Sequence, residues 1–229
     1  MKKSAKTVSK PAKKLVRKAP PKVSKSAAIE PQPAIKVDAE LSFIDFVKNG
    51  FKTLAFNGQA ALENANASSA TKWGFLMLVI IGIIDGLSSM YDWQMGGAPY
   101  LAVKSFLISP FLVILMFFVC YSIFHALAKV FGGVATGTQY FRVLTAALVI
   151  NGLTSLVILA LKIAGGVMLP GSLTILSALW VLAVNAFILI KIHRLSTTKG
   201  ILLGAVMPIT VGIIIVIFTA FFMYRAYMG

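Results

Sequence analysis

The chain has 229 residues, of which 58% are apolar and only 13% charged, with a formal net charge of +15. Soluble domains carry about 25% charged residues, so an ordinary soluble enzyme or binding domain cannot account for the whole chain. The single cysteine, Cys120, excludes an intramolecular disulfide and any zinc site that needs two or more thiolates.

Residues 1–40 form a low-complexity arm rich in Lys, Ala and Pro. Its first 29 residues hold ten Lys/Arg and no acid or aromatic residue. Such a stretch cannot bury enough apolar surface to offset the entropy of ordering, which predicts a disordered basic arm. No apolar run occurs in the window where a secretory signal would place one, so no such signal is expected. A transit peptide fits poorly as well, since Arg17 is the arm's one arginine and Pro11, Pro20 and Pro21 would break an amphipathic helix. Anionic lipid headgroups and nucleic acid both attract such an arm. A bilayer tether brings headgroups within reach first, so lipid is the expected partner and nucleic acid is not; a solvated tail that only helps fix topology is the plain alternative.

Residues 41–72 read as an amphipathic segment followed by a linker. Ile44, Val47, Phe51, Leu54 and Ala55 share one helical face, and Lys48 and Lys52 flank it with stems that can snorkel. Phe46 falls on the opposite, polar side. Ser42 with Asp45 three residues on is a helix start signal. The pattern predicts an interfacial helix lying on the membrane. Residues 57–72, rich in Asn, Ala and Ser, predict a linker or a surface helix.

Residues 73–229 carry five apolar stretches: Trp73–Met90, Phe106–Ala128, Val143–Leu161, Leu173–Ile190 and Ile201–Tyr224. Each is about 18 or more residues long, close to the 20 that a helix needs to cross a hydrocarbon core about 30 Å thick. Lipid offers no partner for free backbone groups, so the spans must be helices. The predicted fold is all-α, an integral membrane bundle of five transmembrane helices. The odd number of spans argues against a simple inverted repeat. With the N-terminus inside, the inner connections hold Lys72, Lys129, Arg142, Lys191, Arg194 and Lys199, and the outer ones hold Lys104, Lys162 and Arg225. Positive residues favour the cytoplasmic side, which predicts a cytoplasmic N-terminus, an outside C-terminus and residence in the cell (inner) membrane.

Three polar residues lie within spans. A carboxylate at the centre of a span costs about 2.5–3.5 kcal/mol on insertion scales, so either the first span ends near Asp85 or Asp85 has a polar partner such as Asn151 or Asn185. The two asparagines have the plain role of interhelical glue. Small residues predict packing faces: Gly82 and Gly86 in the first span, and Gly200, Gly204, Pro208 and Gly212 at four-residue spacing in the fifth. His125 and His193 both fall near the inner face with no carboxylate nearby in sequence, so no metal site is expected. No nucleophile elbow, zincin motif, phosphate loop or carboxylate pair occurs, and neither enzymatic activity nor a cofactor is expected.

Two inner segments carry a resemblance. The first is "ALAKVFGGVATGTQYFRVLTAALV" (Ala126–Val149), with Gly132, Gly133, Thr136, Gly137, Phe141, Arg142, Val143 and Leu144. The second is "KIHRLSTTKGILLGAV" (Lys191–Val206), with His193, Leu195, Ser196, Lys199 and Gly200. Together, over about Gly74–Tyr224, they resemble the Yip-domain family of Ypt/Rab-interacting multi-pass membrane proteins. The resemblance implies a non-enzymatic scaffold or adaptor in membrane organisation or trafficking. It also implies contacts with other membrane proteins or, as in eukaryotic relatives, small GTPases. Arg142, His193, Ser196 and Lys199 would form its cytoplasmic face, with Arg142 and Lys199 as loop charges near headgroups and Ser196 capping the fifth helix. The rival is a small transporter or channel with Asp85, Asn151 and Asn185 lining a path.

Overall fold

The computed structural model describes residues 40–165 and 169–228; the basic arm lies outside them. Every regular element among the described residues is helical. The chain order is α1 (Phe43–Leu54), α2 (Gly58–Asn66), α3 (Ala70–Met95), α4 (Pro99–Val130), α5 (Gly137–Ala147), α6 (Val149–Ile163), α7 (Leu169–Lys191), α8 (Thr197–Ile201), a π-helical turn (Leu202–Val206) and α9 (Met207–Met228). Five segments are long and apolar enough to cross a membrane: α3, α4, the α5–α6 pair, α7, and α8 through α9. The expected bundle of five apolar helices is therefore present. Residues 40–69, 131–136 and 192–196 gather at one end, here termed the motif end.

α1 begins where its cap signal places it, with the Asp45 N–H donating to Ser42 Oγ at 3.1 Å. Its other side packs on the bundle. Phe46, Asn49, Gly50, Thr53 and Leu54 are buried, whereas Ile44 and Phe51 are 64% and 43% exposed. The polar residues tolerate burial because each finds a partner. Thr53 Oγ1 donates to the Asn49 carbonyl (2.7 Å), and Asn49 Nδ2 donates to Glu63 Oε2 (3.1 Å) on α2. Gly50 lies so close to α5 that a Cβ there would strike the Ala146 carbonyl oxygen. α1 thus packs on the bundle through Phe46 and Leu54 and leaves Ile44 and Phe51 of its apolar stripe outward.

The 57–72 stretch contains α2, capped by Asn57 Oδ1, which accepts from the Gln59 and Ala60 N–H groups (3.0 and 3.1 Å). The start of α1 is tied to α3, with Leu41 N donating to Ser69 Oγ (2.8 Å) and Trp73 Nε1 donating to the Leu41 carbonyl (2.8 Å).

α3 and α4 form a close hairpin. A Cβ on Gly82 would lie 2.5 Å from Pro110 Cα, and one on Gly86 would lie 3.0 Å from the Phe106 carbonyl oxygen. α3 also packs on α5 and α6, α6 packs on α7, and α7 packs on the π turn. That turn ends at Val206, two residues before Pro208, which has no N–H to offer the carbonyl four residues back. At the far end of the bundle Lys162 Nζ binds Asp92 Oδ2 (2.6 Å) and Ser88 Oγ (2.9 Å), joining α6 to α3. Beyond Pro208, α9 leaves the bundle with its described side chains exposed.

Candidate functional site

The motif end is built where the two motif segments meet. α4 finishes in a Schellman arrangement, in which Gly132 N–H donates to the Lys129 carbonyl (3.0 Å) and Gly133 N–H to the Ala128 carbonyl (2.7 Å). Gly132 holds φ +93°, a region costly for any residue with a Cβ. Gly133 is needed for a different reason: a Cβ there would stand 2.6 Å from His193 Nδ1. The two glycines therefore do separate work, one turning the chain and the other admitting the histidine of the second motif. Val134 N–H then donates to the His193 carbonyl (3.1 Å). Lys199 Nζ donates to the Phe131 carbonyl (3.1 Å), placing a cation at the negative C-terminal pole of α4.

Behind this junction lies an aromatic layer. The fully buried His193 ring meets the Tyr140 ring edge-on at 5.1 Å and the His125 ring at 5.2 Å. His125 Nδ1 and His193 Nε2 are 3.4 Å apart, close enough for one ring nitrogen to donate to the other. Tyr121 stacks on both His125 and Tyr140. Burial first, then the neighbouring His125 and the Lys129 charge, push His193 down to about 4, so it is neutral at physiological pH. Its Nδ1 has no hydrogen-bond partner among the described residues. Tyr140 is fully buried and donates to Asn185 Oδ1 at 2.8 Å.

Next to the junction, Thr136 and Gln139 close a capping box at the start of α5. Arg142 reaches backward, with Nε donating to Thr71 Oγ1 (2.8 Å) and Nη1 to the Ala65 carbonyl (3.1 Å). Its guanidinium holds a carbonyl from the last turn of α2 together with the first turn of α3. It is thus an internal clasp and not a free loop charge. Ser196 sits at the cap position of α8, but its hydroxyl makes no capping hydrogen bond; its carbonyl accepts from Gly200 N–H (2.9 Å).

The three polar residues of the spans converge. α3 continues ten residues past Asp85 to Met95. Asp85, Asn151 and Asn185 line one cavity of about 650 Å³ between α3, α4, α6 and α7, with Ser88, Thr154 and Ser177 among the other polar groups on its wall. No hydrogen bond or ion pair reaches Asp85 from the described residues.

Four of the five glycines singled out as packing residues sit against a neighbour. Gly82 and Gly86 meet α4, while Cβ atoms at Gly200 and Gly204 would strike Ile190 and Ala186 of α7. Gly212 has nothing within 4 Å, because the fifth span has left the bundle by then. Reading the sequence alone passed over Tyr140, whose one signal was a lone hydroxyl-bearing aromatic inside the first motif. It also passed over Thr71 and Ala65, which nothing local marks as partners of Arg142.

The Yip1 domain family model matches residues 52–219, which reach from the second half of α1 into α9. No curated protein and no solved structure matches the chain.

Proposed function

Because the chain belongs to the Yip1 domain family, we propose that this multi-pass membrane protein is a non-enzymatic scaffold or adaptor, possessing a cytoplasmic motif end that meets its partners. The observation that carries this reading is the junction of the two motifs. Gly133 against His193, the Val134–His193 hydrogen bond and Lys199 on the Phe131 carbonyl turn loops from opposite parts of the sequence into one fixed platform. α1 and α2 pack beside it. A preformed surface of this kind suits recognition of other membrane proteins, and of a small GTPase where the cell supplies one, because little order is lost on binding. Ser196 and Lys199 are exposed on it, whereas His193 and Arg142 act from within. The basic arm would add an electrostatic hold on anionic headgroups, worth about 1 kcal/mol per Lys or Arg near the surface.

A photo-crosslinking amino acid placed in cells at Lys52 or Arg194, both exposed at the motif end, tests the reading. Discrete protein adducts are expected from these positions and not from Ile213 on the exposed side of α9. Adducts to lipid alone at all three positions would sink the scaffold. Liposomes containing the protein should show no flux that Asp85→Asn abolishes; such a flux would favour the transporter instead.

A further inference from the structure

The cavity between α3, α4, α6 and α7 is unaccounted for by any scaffold role, and its geometry can be read independently of that role. Its volume, about 650 Å³, lies within the range of about 300–1,000 Å³ usual for small-molecule sites. Its wall is chiefly apolar, with Ile81, Phe117 and Leu148 among the lining residues, and Asp85 is its one charged member. The nearby cation Lys162 reaches the wall at Ser88 (2.9 Å) but is held by Asp92 at 2.6 Å. Asp85 therefore faces the cavity with no counter-ion among the described residues, in a part of the molecule where an unpaired carboxylate is costly. Around it stand neutral hydrogen-bonding groups: Asn151, the Thr154–Ser177 hydroxyl pair (3.2 Å) and Asn185. This set has one negative charge, several acceptors and no competing cation.

The packing of the helices defines the way in. α3 packs on α4 and on α6, and α6 packs on α7, whereas α4 and α7 are not among the closely packed pairs of the described residues. At the motif end the π turn bridges them by packing on both. Further along, α9 has left the bundle, so the gap between α4 and α7 faces the bilayer. Toward the motif end the cavity is stopped by the aromatic layer: Asn185 accepts from Tyr140, and Phe117 stacks on Tyr121. The gap between α4 and α7 therefore offers a way in from lipid, and the aromatic layer separates the cavity from the motif end.

We propose that this cavity binds a single-chain amphiphile with an ammonium headgroup, entering between α4 and α7, with Asp85 as its counter-ion. An ammonium has three donors and no acceptor, matching a carboxylate surrounded by amide and hydroxyl oxygens. The alkyl chain lies along the apolar wall, which runs from Asp85 back to Leu78 of α3, seven residues or about 10 Å of helix, and its end turns into the gap between α4 and α7.

Dodecylamine is a suitable probe, with the full chain in phosphatidylcholine nanodiscs so that the lipid itself carries no net charge. Saturable binding of radiolabelled dodecylamine is measured, together with its protection of Cys120, the chain's single cysteine and a lining residue, from N-ethylmaleimide. Dodecanol and dodecanoate serve as competitors. Wild type should bind the amine saturably and protect Cys120, neither competitor should displace it, and Asp85→Asn should weaken binding at least tenfold. Ala178→Phe fills the cavity and leaves Asp85 in place; it should also abolish binding, which decides the matter if Asp85→Asn fails to fold. Any of four results would overturn the proposal: no saturable binding, displacement by dodecanol as effective as by amine, undiminished binding by a folded Asp85→Asn, or undiminished binding by Ala178→Phe.

Discussion

The contact between the fifth span and α7 offers a sharp test, because two glycines of one stripe should respond with opposite sign. At Gly204 an added Cβ would strike the backbone of Ala186 and come to 2.8 Å from Ala186 Cβ, where ordinary contact is 3.4–4 Å. The two helices must therefore separate by about 0.6 Å or more, and a packed interior resists such displacement at a cost of about 1–3 kcal/mol. Leu203, Val184 and Ile188 are buried beside this contact and would lose part of their packing. For a chain of this size about 1 kcal/mol lowers Tm by about 2–4 °C, so Gly204→Ala should melt about 2–12 °C below the parent in detergent. Gly204→Leu should be worse. Gly212 is the internal control, with open space around it. There Ala replaces Gly in an exposed helix, which favours the helix by about 1 kcal/mol, so Gly212→Ala should melt at or above the parent. If Gly204→Ala also melts at or above the parent, the packing of α7 on the π turn is wrong.

Arg142→Ala removes two hydrogen bonds from a charged donor, each worth about 1.5–3 kcal/mol. Limited proteolysis should then cut faster within residues 58–72, and Arg142→Lys should restore little, because an ammonium lacks the fork that reaches Thr71 and Ala65 together. His193 has a folded value of about 4, below its ordinary 6.5, so the unfolded chain takes the proton first as pH falls. Stability is then complete above about pH 6.5 and is lost toward about pH 4; melts across this window should show the drop, with a shallower slope in His193→Gln, and equal slopes would refute the assignment. Reporter fusions at Gly133 and Gly229 should report opposite sides of the membrane, and the same side for both would break the five-span topology. A peptide of Met1–Glu40 should bind anionic liposomes, ignore neutral ones and release as salt rises; equal binding to neutral liposomes would rule the headgroup tether out.

The spans were legible because each is a long run with few charges, a property that needs no knowledge of neighbours. The start of α1 was legible for the same reason, since Ser42 and Asp45 close their cap within one turn. The packing of the opposite side of α1 was not. Helical periodicity ranks Phe46 with polar residues, and its burial depends on α5 arriving against Gly50 and on Glu63 satisfying Asn49. The glycine stripe of the fifth span shows the same limit, because spacing alone cannot tell that α7 is present at Gly204 and absent at Gly212. Asp85, Asn151 and Asn185 stood out singly as polar residues in apolar runs. That they share one cavity is set by the packing of α3, α6 and α7, which no local pattern encodes.

The motif residues use their chemistry on one another, and this bears on where a partner can act. Gly133 admits His193, Lys199 caps α4, and Arg142 fastens α2 to α3. Each is engaged before any partner arrives, so changes at these positions should act through the shape of the platform. A partner in contact with the motif end meets the groups that remain outward, among them Lys48, Lys52, Arg194 and Ser196, and the Ile44–Phe51 stripe that α1 turns away from the bundle. That stripe, flanked by two lysines, has the composition of a helix that rests on headgroups. α1 therefore has two sides: one fixed to the platform, with Phe46, Asn49 and Leu54 buried, and one on which Ile44 and Phe51 are exposed. At Gly50 and Ala146 the α1 and α5 backbones touch without an intervening side chain, and this contact fixes the buried side of α1 on the helix that carries Tyr140 and Arg142.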